Sequence, residues 1–241
     1  MEFCGASRYR LAGNTAQRSN ASFIANNLLG DRGYRMNTTN SNVGGWDATI
    51  MRTFCSTRLY DALPTVWQSM LKKVKISASA GNNTTEILTS EDYIYLPCYT
   101  EMSNNQSSIY PSEGDYITWF TNNPTRAKFR GQIIPDGASY YSTNSDPSTI
   151  STNAVKEGDI WINTGNQSIA YMYVKQDELD MFGITPAYTA SIGGGWVSAS
   201  GWWLRSPFVG NTTTFWFVDT HGNCYYNNAS SSYGVCPCFS I

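Results

Sequence analysis

Trp202-Trp203-Leu204-Arg205-Ser206-Pro207 opens the closing segment of the chain. The segment continues through Phe215-Trp216-Phe217-Val218-Asp219, His221-Gly222-Asn223, Cys224-Tyr225-Tyr226 and Gly234-Val235-Cys236-Pro237-Cys238-Phe239-Ser240-Ile241. Short runs of bulky aromatic and β-branched residues fit a pleated surface better than a helix. Phe215–Asp219 therefore reads as a strand, 221–223 as a tight turn, Cys224–Tyr226 as the antiparallel return, and 234–241 as a further strand. Frayed ends are normally polar, so a chain closing on an apolar strand is expected to pair that strand inside a sheet.

Working outward, Asp159–Val174 reads as a hairpin: Ile160-Trp161-Ile162 and Ala170-Tyr171-Met172-Tyr173-Val174 flank a turn at Thr164-Gly165-Asn166. Val74–Ala78 and Tyr93–Leu96 are strand-like, and Ser79–Thr85 is a turn-rich gap. Tyr116–Phe120 fits a short strand or a helical turn, Gly137–Asn153 a loop, and Lys175–Phe182 one or two helical turns. Two helices are predicted. The first runs Asp47–Tyr60, with Asp47 as cap and Ile50, Met51 and Phe54 on one face. The second opens at Pro64, and Leu63, Val66, Trp67, Met70, Leu71 and Val74 give it a half-buried stripe. Residues 1–45 are polar and Asn-rich, with room for one or two short strands.

The composition agrees with a β-rich, loop-rich globular chain. Its 241 residues suit a single domain. Hydrophobic residues make up 41%, but charged residues only 14%, and the net charge is −2. That balance excludes a basic nucleic-acid footprint. Short polar residues take the place of charge, with 21 Asn, 27 Ser and 24 Thr beside 16 Tyr and 8 Trp. Surfaces of Tyr, Ser, Gly and Asn are those of antibody-type paratopes. The eight Asn-x-Ser/Thr sites, Asn20, Asn37, Asn211 and Asn228 among them, follow from this composition. No apolar run reaches the ~18 residues of a membrane span, so no membrane insertion is expected. Met1–Arg10 does not read as a secretion signal. Export is then expected by another route, or as part of a longer assembly.

The chemistry-bearing residues are sparse. The six cysteines, Cys4, Cys55, Cys98, Cys224, Cys236 and Cys238, match no familiar disulfide framework. Cys236 and Cys238 share one face of a strand-like run and are poorly placed to bond each other. The cysteines are expected to be buried thiols. A Ser-His-Asp relay would have only His221 as its base, and His221 sits in a turn. Acids such as Asp115, Asp159, Asp177, Glu178 and Asp180 are scattered, as solvated loop residues are. No catalytic residue, no metal and no cofactor is therefore expected.

Binding has a positive sign. Alternate residues of a strand point to opposite faces. Either the Trp216 set or the Phe215/Phe217/Asp219 set is thus expected to face out. Exposed aromatics among small polar groups mark recognition surfaces. Rings stack on sugar faces while amides and hydroxyls bond sugar hydroxyls. The candidate ligand-binding residues are Phe208, Asn211, Thr212, Trp216, Phe217, Asp219, His221, Tyr225, Tyr226, Asn227, Ser230 and Ser231.

Several of these stretches resemble a known family. Trp202-Trp203-Leu204-Arg205-Ser206-Pro207, a strand–Gly–strand pair, and Ser232-Tyr233-Gly234-Val235 before Pro237 look like the ending of the DUF6273 domain. Tyr34-Arg35-Met36-Asn37, Asn42-Val43-Gly44-Gly45-Trp46, Met51-Arg52-Thr53, Ala62-Leu63-Pro64 and Trp119-Phe120-Thr121 match as well. The resemblance covers Arg35 to Ile241; residues 1–34 match little, and their opening strand is expected to be missing or supplied by a neighbouring chain. The segment Gly131–Gly195 is an insertion whose hairpin is similar to those of phage tail proteins. Cys236 stands where the family usually has an Arg.

The resemblance implies an α+β, C-type-lectin-like fold. Two helices would flank a small twisted antiparallel sheet that joins both termini, and segment 202–241 would form the ligand face. The expected function is a phage tail-tip or fibre receptor-binding protein of the virion. It would be a homo-oligomer, trimeric in one form, docked on other tail proteins and contacting a bacterial surface glycan or protein. It would not be an enzyme. A retroelement would diversify its 208–233 face, since mutagenised Asn codons yield Ser, Tyr, Phe, His, Asp, Cys and Thr; Trp216 lies outside that set and would be framework. The alternatives are a bacterial surface or secreted carbohydrate- or protein-binding module of the same fold, and a formylglycine-generating-enzyme-like protein using Cys236 and Cys238.

Overall fold

The computed structural model describes residues 1–14, 16–25, 28–29, 33–103, 113–117 and 201–241, and five strands between 128 and 200, mostly as backbone. In chain order, β1 is Glu2–Ala6, β2 Ala21–Ile24, α1 Ile50–Phe54, α2 Thr65–Met70, β3 Val74–Ser79, β4 Ile87–Asp92, β5 Ile94–Tyr95 and α3 Tyr99–Met102. There follow β6 Lys128–Pro135, β7 Ala154–Glu157, β8 Ile160–Asn163, β9 Tyr171–Val174 and β10 Gly195–Ser200. The chain closes with β11 Trp202–Pro207, β12 Thr214–Val218, β13 Cys224–Asn228 and β14 Cys238–Ser240. It is a mixed α and β structure, mostly antiparallel sheet with a few short helices.

The apolar closing strand lies inside a sheet, as its composition predicts. β14 pairs antiparallel with β2 on one side (Cys238↔Ile24) and β5 on the other (Cys238↔Tyr95). β1 adds to the far side of β2, giving the order β1-β2-β14-β5. Both termini thus meet in one sheet. A buried hydroxyl chain crosses it: Ser240 Oγ lies 2.9 Å from both Ser22 Oγ and the Tyr95 hydroxyl. Within residues 1–34, whose opening strand is expected from the resemblance to be missing or supplied by a neighbouring chain, β1 and β2 pair with each other and β2 with β14 of this same chain.

β11, β12 and β13 form a three-stranded meander, and β3 pairs with β4. The fourth sheet, β6-β10-β9-β8-β7, holds the predicted hairpin, with Trp161 opposite Tyr173 and Ile162 opposite Met172. The turn residues 164–166, the loop 137–153 and the Lys175–Phe182 segment lie outside the described residues. So do 118–120, and Tyr116 and Ile117 belong to no element.

The helices depart from their predicted form. After a 3-10 turn at Trp46–Ala48, α1 starts at Ile50 with Thr49, not Asp47, as cap: the Thr49 hydroxyl accepts from the Arg52 N–H. A π turn follows at Cys55–Leu59. Met51 and Cys55, four residues apart and so on one face, point inward, while Ile50 is exposed and Phe54 only half-buried. The second helix is shorter than its stripe suggests. It ends at Met70; Leu71 is extended, and Val74 already belongs to β3, opposite Asp92. No residue of α2 is buried, and Val66 and Met70 face out. Pairing of β3 with β4 and burial of Val74, Ile76 and Ala78 outweigh one more helical turn at the margin of the fold.

The core gathers Trp46, Trp202, Trp203, Tyr95, Phe215, Met36 and Met51, all fully buried. Asp92 sits at its edge, accepting from Trp46 Nε1 (3.0 Å), Arg52 Nε (2.8 Å) and Ser90 Oγ (2.6 Å). Asn42 ties two loops together. Its amide NH2 donates to the carbonyls of Asn211 (3.0 Å) and Thr214 (2.9 Å), and its Oδ1 accepts from Asn82 N. Gly45, at φ 59°, needs its missing side chain: a Cβ there would lie 1.9 Å from the Ser79 carbonyl. The stretch 42–46 is therefore a packing motif.

Candidate functional site

β12 is buried along its whole length, so neither of its two predicted sets faces out. This corrects the alternation expectation, and the reason is that each face of the strand is covered by residues distant in sequence. Trp216 (7% exposed) stacks on Tyr99 at 4.0 Å, and Phe217 (7%) stacks on Tyr233 at 4.3 Å with Trp203 edge-on. Phe215 is fully buried.

The exposed aromatics of the closing segment belong to the next strand. β13 is the outer strand of its sheet, and carries Tyr225 (58% exposed) and Tyr226 (38%). Phe208, half-buried in the loop before β12, stacks on Tyr226 at 4.0 Å and 11°. Tyr226 in turn lies parallel to Tyr225, at 5.2 Å and 5°. Three near-parallel rings thus run in series around the sheet edge, backed by Trp216 edge-on to both Phe208 and Tyr226.

The polar candidates divide by what already occupies them. Asn211 Oδ1 accepts from the N–H groups of Thr213 and Thr214 and from the Thr214 hydroxyl, closing its own loop. Asp219 accepts from the N–H groups of His221 and Asn223, each at 2.8 Å, and shapes the 219–223 turn. Asn227 donates to the Tyr233 hydroxyl at 2.6 Å and accepts from the Asn228 N–H and the Ser231 hydroxyl. Ser230 donates to Asn40. Thr212 is exposed. His221 Nδ1 lies 3.4 Å from Thr220 Oγ1 and 3.9 Å from Asp219 Oδ2. Both contacts fall on one ring nitrogen, whereas a catalytic relay sets hydroxyl and carboxylate on opposite nitrogens.

A second cluster was missed at the sequence level. Arg205 of β11 is fully buried and pairs with the equally buried Glu101 at 3.0 Å. Arg205 also donates to the carbonyls of Leu96 (2.7 Å), Ser77 (3.0 Å) and Glu113 (3.0 Å). Glu101, in the first turn of α3, accepts from Cys98 N at 2.8 Å and from the Tyr9 hydroxyl. Burial alone would raise the Glu101 carboxyl, but Arg205, Arg8 and these hydrogen bonds hold it below its ordinary value. Glu113 accepts from Ser79 N (2.7 Å) and the Ser206 hydroxyl, and its carboxylate forms no ion pair among the described residues; burial pushes it up to about 7. The available signal was the arginine itself, a charge set inside an otherwise apolar strand, which must find a buried partner.

All six cysteines are reduced, four of them buried. Burial raises the Cys55, Cys98 and Cys238 thiols, and the Cys236 thiol donates to the Ala25 carbonyl at 3.2 Å. Among the described residues no three His, Cys, Asp or Glu side chains gather where they could hold a metal ion. No described helix is long and apolar enough to cross a membrane.

No curated protein and no solved structure matches the chain. The family model that does match runs from residue 19 to 241, beginning before Arg35 and so taking in β2, the partner of the closing strand. Across that span the Trp-Trp-Leu-Arg-Ser-Pro strand and the Asn42–Trp46 loop perform the structural roles described above, and the chain belongs to the family designated DUF6273, a domain of unknown function.

Proposed function

We propose that this chain is a recognition domain of C-type-lectin-like type, acting as an oligomer at a phage tail tip or fibre. In this reading its C-terminal face binds a bacterial surface glycan or protein. The observation that carries the reading is the series Phe208–Tyr226–Tyr225, three near-parallel rings of which two stand on an outer strand. Tyr225, the most exposed ring at the end of the series, offers aromatic surface for stacking on a sugar ring, and Thr212, Asn223 and Asn228 of the same segment are exposed polar groups. The meeting of both termini in one antiparallel sheet is consistent with the proposed fold type. Trp216 and Phe217 then act from beneath as a rigid floor. Asn211, Asp219, Asn227 and Ser230 act as loop clips that present the rings.

The test is retention of the purified domain on isolated bacterial cell walls. Tyr225→Ala combined with Tyr226→Ala removes two rings and little core, and is expected to weaken retention by about tenfold. Undiminished retention by the folded double variant, or wild-type retention no better than that of an unrelated domain, rejects this face as the contact.

A further inference from the structure

A cleft of about 310 Å³ opens well away in sequence from the aromatic edge, between the N-terminal arm and the β3–β4 sheet. Arg8, Arg10, Arg18 and Lys75 line it. Only 16 of 241 residues are Lys or Arg, so four in one small cleft is a local concentration against the trend of the chain.

The backbone forces these charges together. Arg10 and Arg18 face each other across an antiparallel bridge, and the Arg10 carbonyl accepts from the Lys75 N–H at 2.8 Å. Like charges set directly opposite destabilise a sheet, and negative charge placed beside the pair offsets that cost. Arg18 is held in place by donating to the carbonyls of Ser7 (3.0 Å) and Arg8 (3.1 Å). The Arg8 side chain is nine-tenths buried and 3.8 Å from Glu101, and its Nε–H is buried with no acceptor. Native structures normally relieve such an orphan donor with water or an ion. The acids nearby are fewer. Asp115 and Glu113 lie in the wall, and Glu91 stands opposite Lys75 in the β3–β4 register. Glu101 is shared between Arg205 at 3.0 Å and Arg8 at 3.8 Å.

The geometry points to an anion site in this cleft that takes a phosphorylated sugar or polyol, its phosphate held by Arg8, Arg10, Arg18 and Lys75. Three guanidinium forks and an ammonium exceed what one carboxylate can use and suit the several oxygens of a phosphate. The volume lies at the lower end of the range for small-molecule pockets, beyond a bare inorganic ion. Thr89 and Ser77, also in the lining, offer hydrogen bonds to sugar hydroxyls. Such a unit occurs free in solution or as the repeat of a phosphate-linked wall polymer. The site would serve either the proposed recognition role or a separate one.

The test is thermal-shift and calorimetric titration of the whole chain with glucose 1-phosphate, a glycerol phosphate oligomer, inorganic phosphate, glucose and glucuronate. A saturable rise in Tm with glucose 1-phosphate is expected, with glucose inactive and glucuronate and inorganic phosphate each at least about tenfold weaker. Tighter binding of the oligomer than of glucose 1-phosphate identifies the polymer as the source; the reverse order identifies the free compound. Lys75→Gln, on the rim of the cleft, is expected to weaken binding by about tenfold with Tm unchanged. Lys73→Gln, outside the cleft, leaves binding unchanged. Absence of a saturable shift, equal binding by the Lys75 variant, or preference for glucuronate or bare phosphate overturns the assignment. Cell-wall retention through Tyr225 and Tyr226 is scored separately, so either reading can fail alone.

Discussion

Glu113 and Glu101 are two buried carboxylates beside one arginine, and they respond to pH in opposite directions. Glu101 touches Arg205 directly and is held ionised. Glu113 is reached by Arg205 only through its backbone carbonyl, and burial leaves its acid stable up to about pH 7. An acid whose folded value is raised from 4.5 to about 7 favours the fold fully below pH 4.5 and loses that contribution as pH climbs to 7. The loss is on the order of 3 kcal/mol. Glu101 titrates below this window, and its share falls only on further acidification. Urea unfolding between pH 4.5 and 7 is expected to show declining stability that Glu113→Gln flattens. A wild-type curve level across that range would mean that Glu113 is ionised in the fold.

At the scale of elements, the same glycine-rich loop and the same meander appear in two roles. The loop 42–46 positions the aromatic edge indirectly: Asn42 binds the 208–214 loop, and Gly45 lets loop 42–46 lie against Ser79. Gly45→Ala forces a Cβ against the Ser79 carbonyl at a left-handed φ, and is expected to cost at least about 1–3 kcal/mol. Gly13→Ala, which meets nothing within 4 Å, is the neutral control. Equal denaturation midpoints for the two variants would show that the loop relaxes freely. The meander is a buried strand, β12, carrying an exposed one, β13. Diversification of the face, if a retroelement acts on it, is thereby confined to side chains such as Thr212, Tyr225, Tyr226 and Asn228. Asn211 and Asp219 hold loops and would stay fixed.

For the molecule as a whole, the sheet β1-β2-β14-β5 is the joint that closes the chain on itself. β14 is central in it, so deleting Cys238–Ile241 strips pairing from both β2 and β5 and opens two edges at once. The truncated chain is expected to lose its cooperative melt and its dispersed amide spectrum. A truncation that keeps both would place the stability in the β11–β13 meander alone. The Arg205 network joins the same sheet to the meander, since β11 reaches Glu101 and Leu96, just beyond β5, while Tyr9 approaches from the N-terminal arm.

The sequence by itself determined the strand pair at 215–226, the hairpin at 160–174, the pairing of the chain's end inside a sheet (though as Cys238–Ser240 rather than the whole of 234–241) and the family; it did not mark Trp202–Pro207 as a strand. Each rests on local runs or on a residue pattern that survives without knowledge of distant neighbours. Only the tertiary structure decided which aromatics meet solvent. Alternation along β12 promised one open face, but Tyr99 and Tyr233, more than a hundred residues apart, close both of them, and exposure passes to Tyr225 and Tyr226. The end of the second helix was likewise set by Asp92, whose strand captures Val74. Partners for Arg205 and the cations around the cleft came from segments too far apart for periodicity to join. Burial is a sum over neighbours, and periodicity along one segment reports only which residues share a face, not what covers that face.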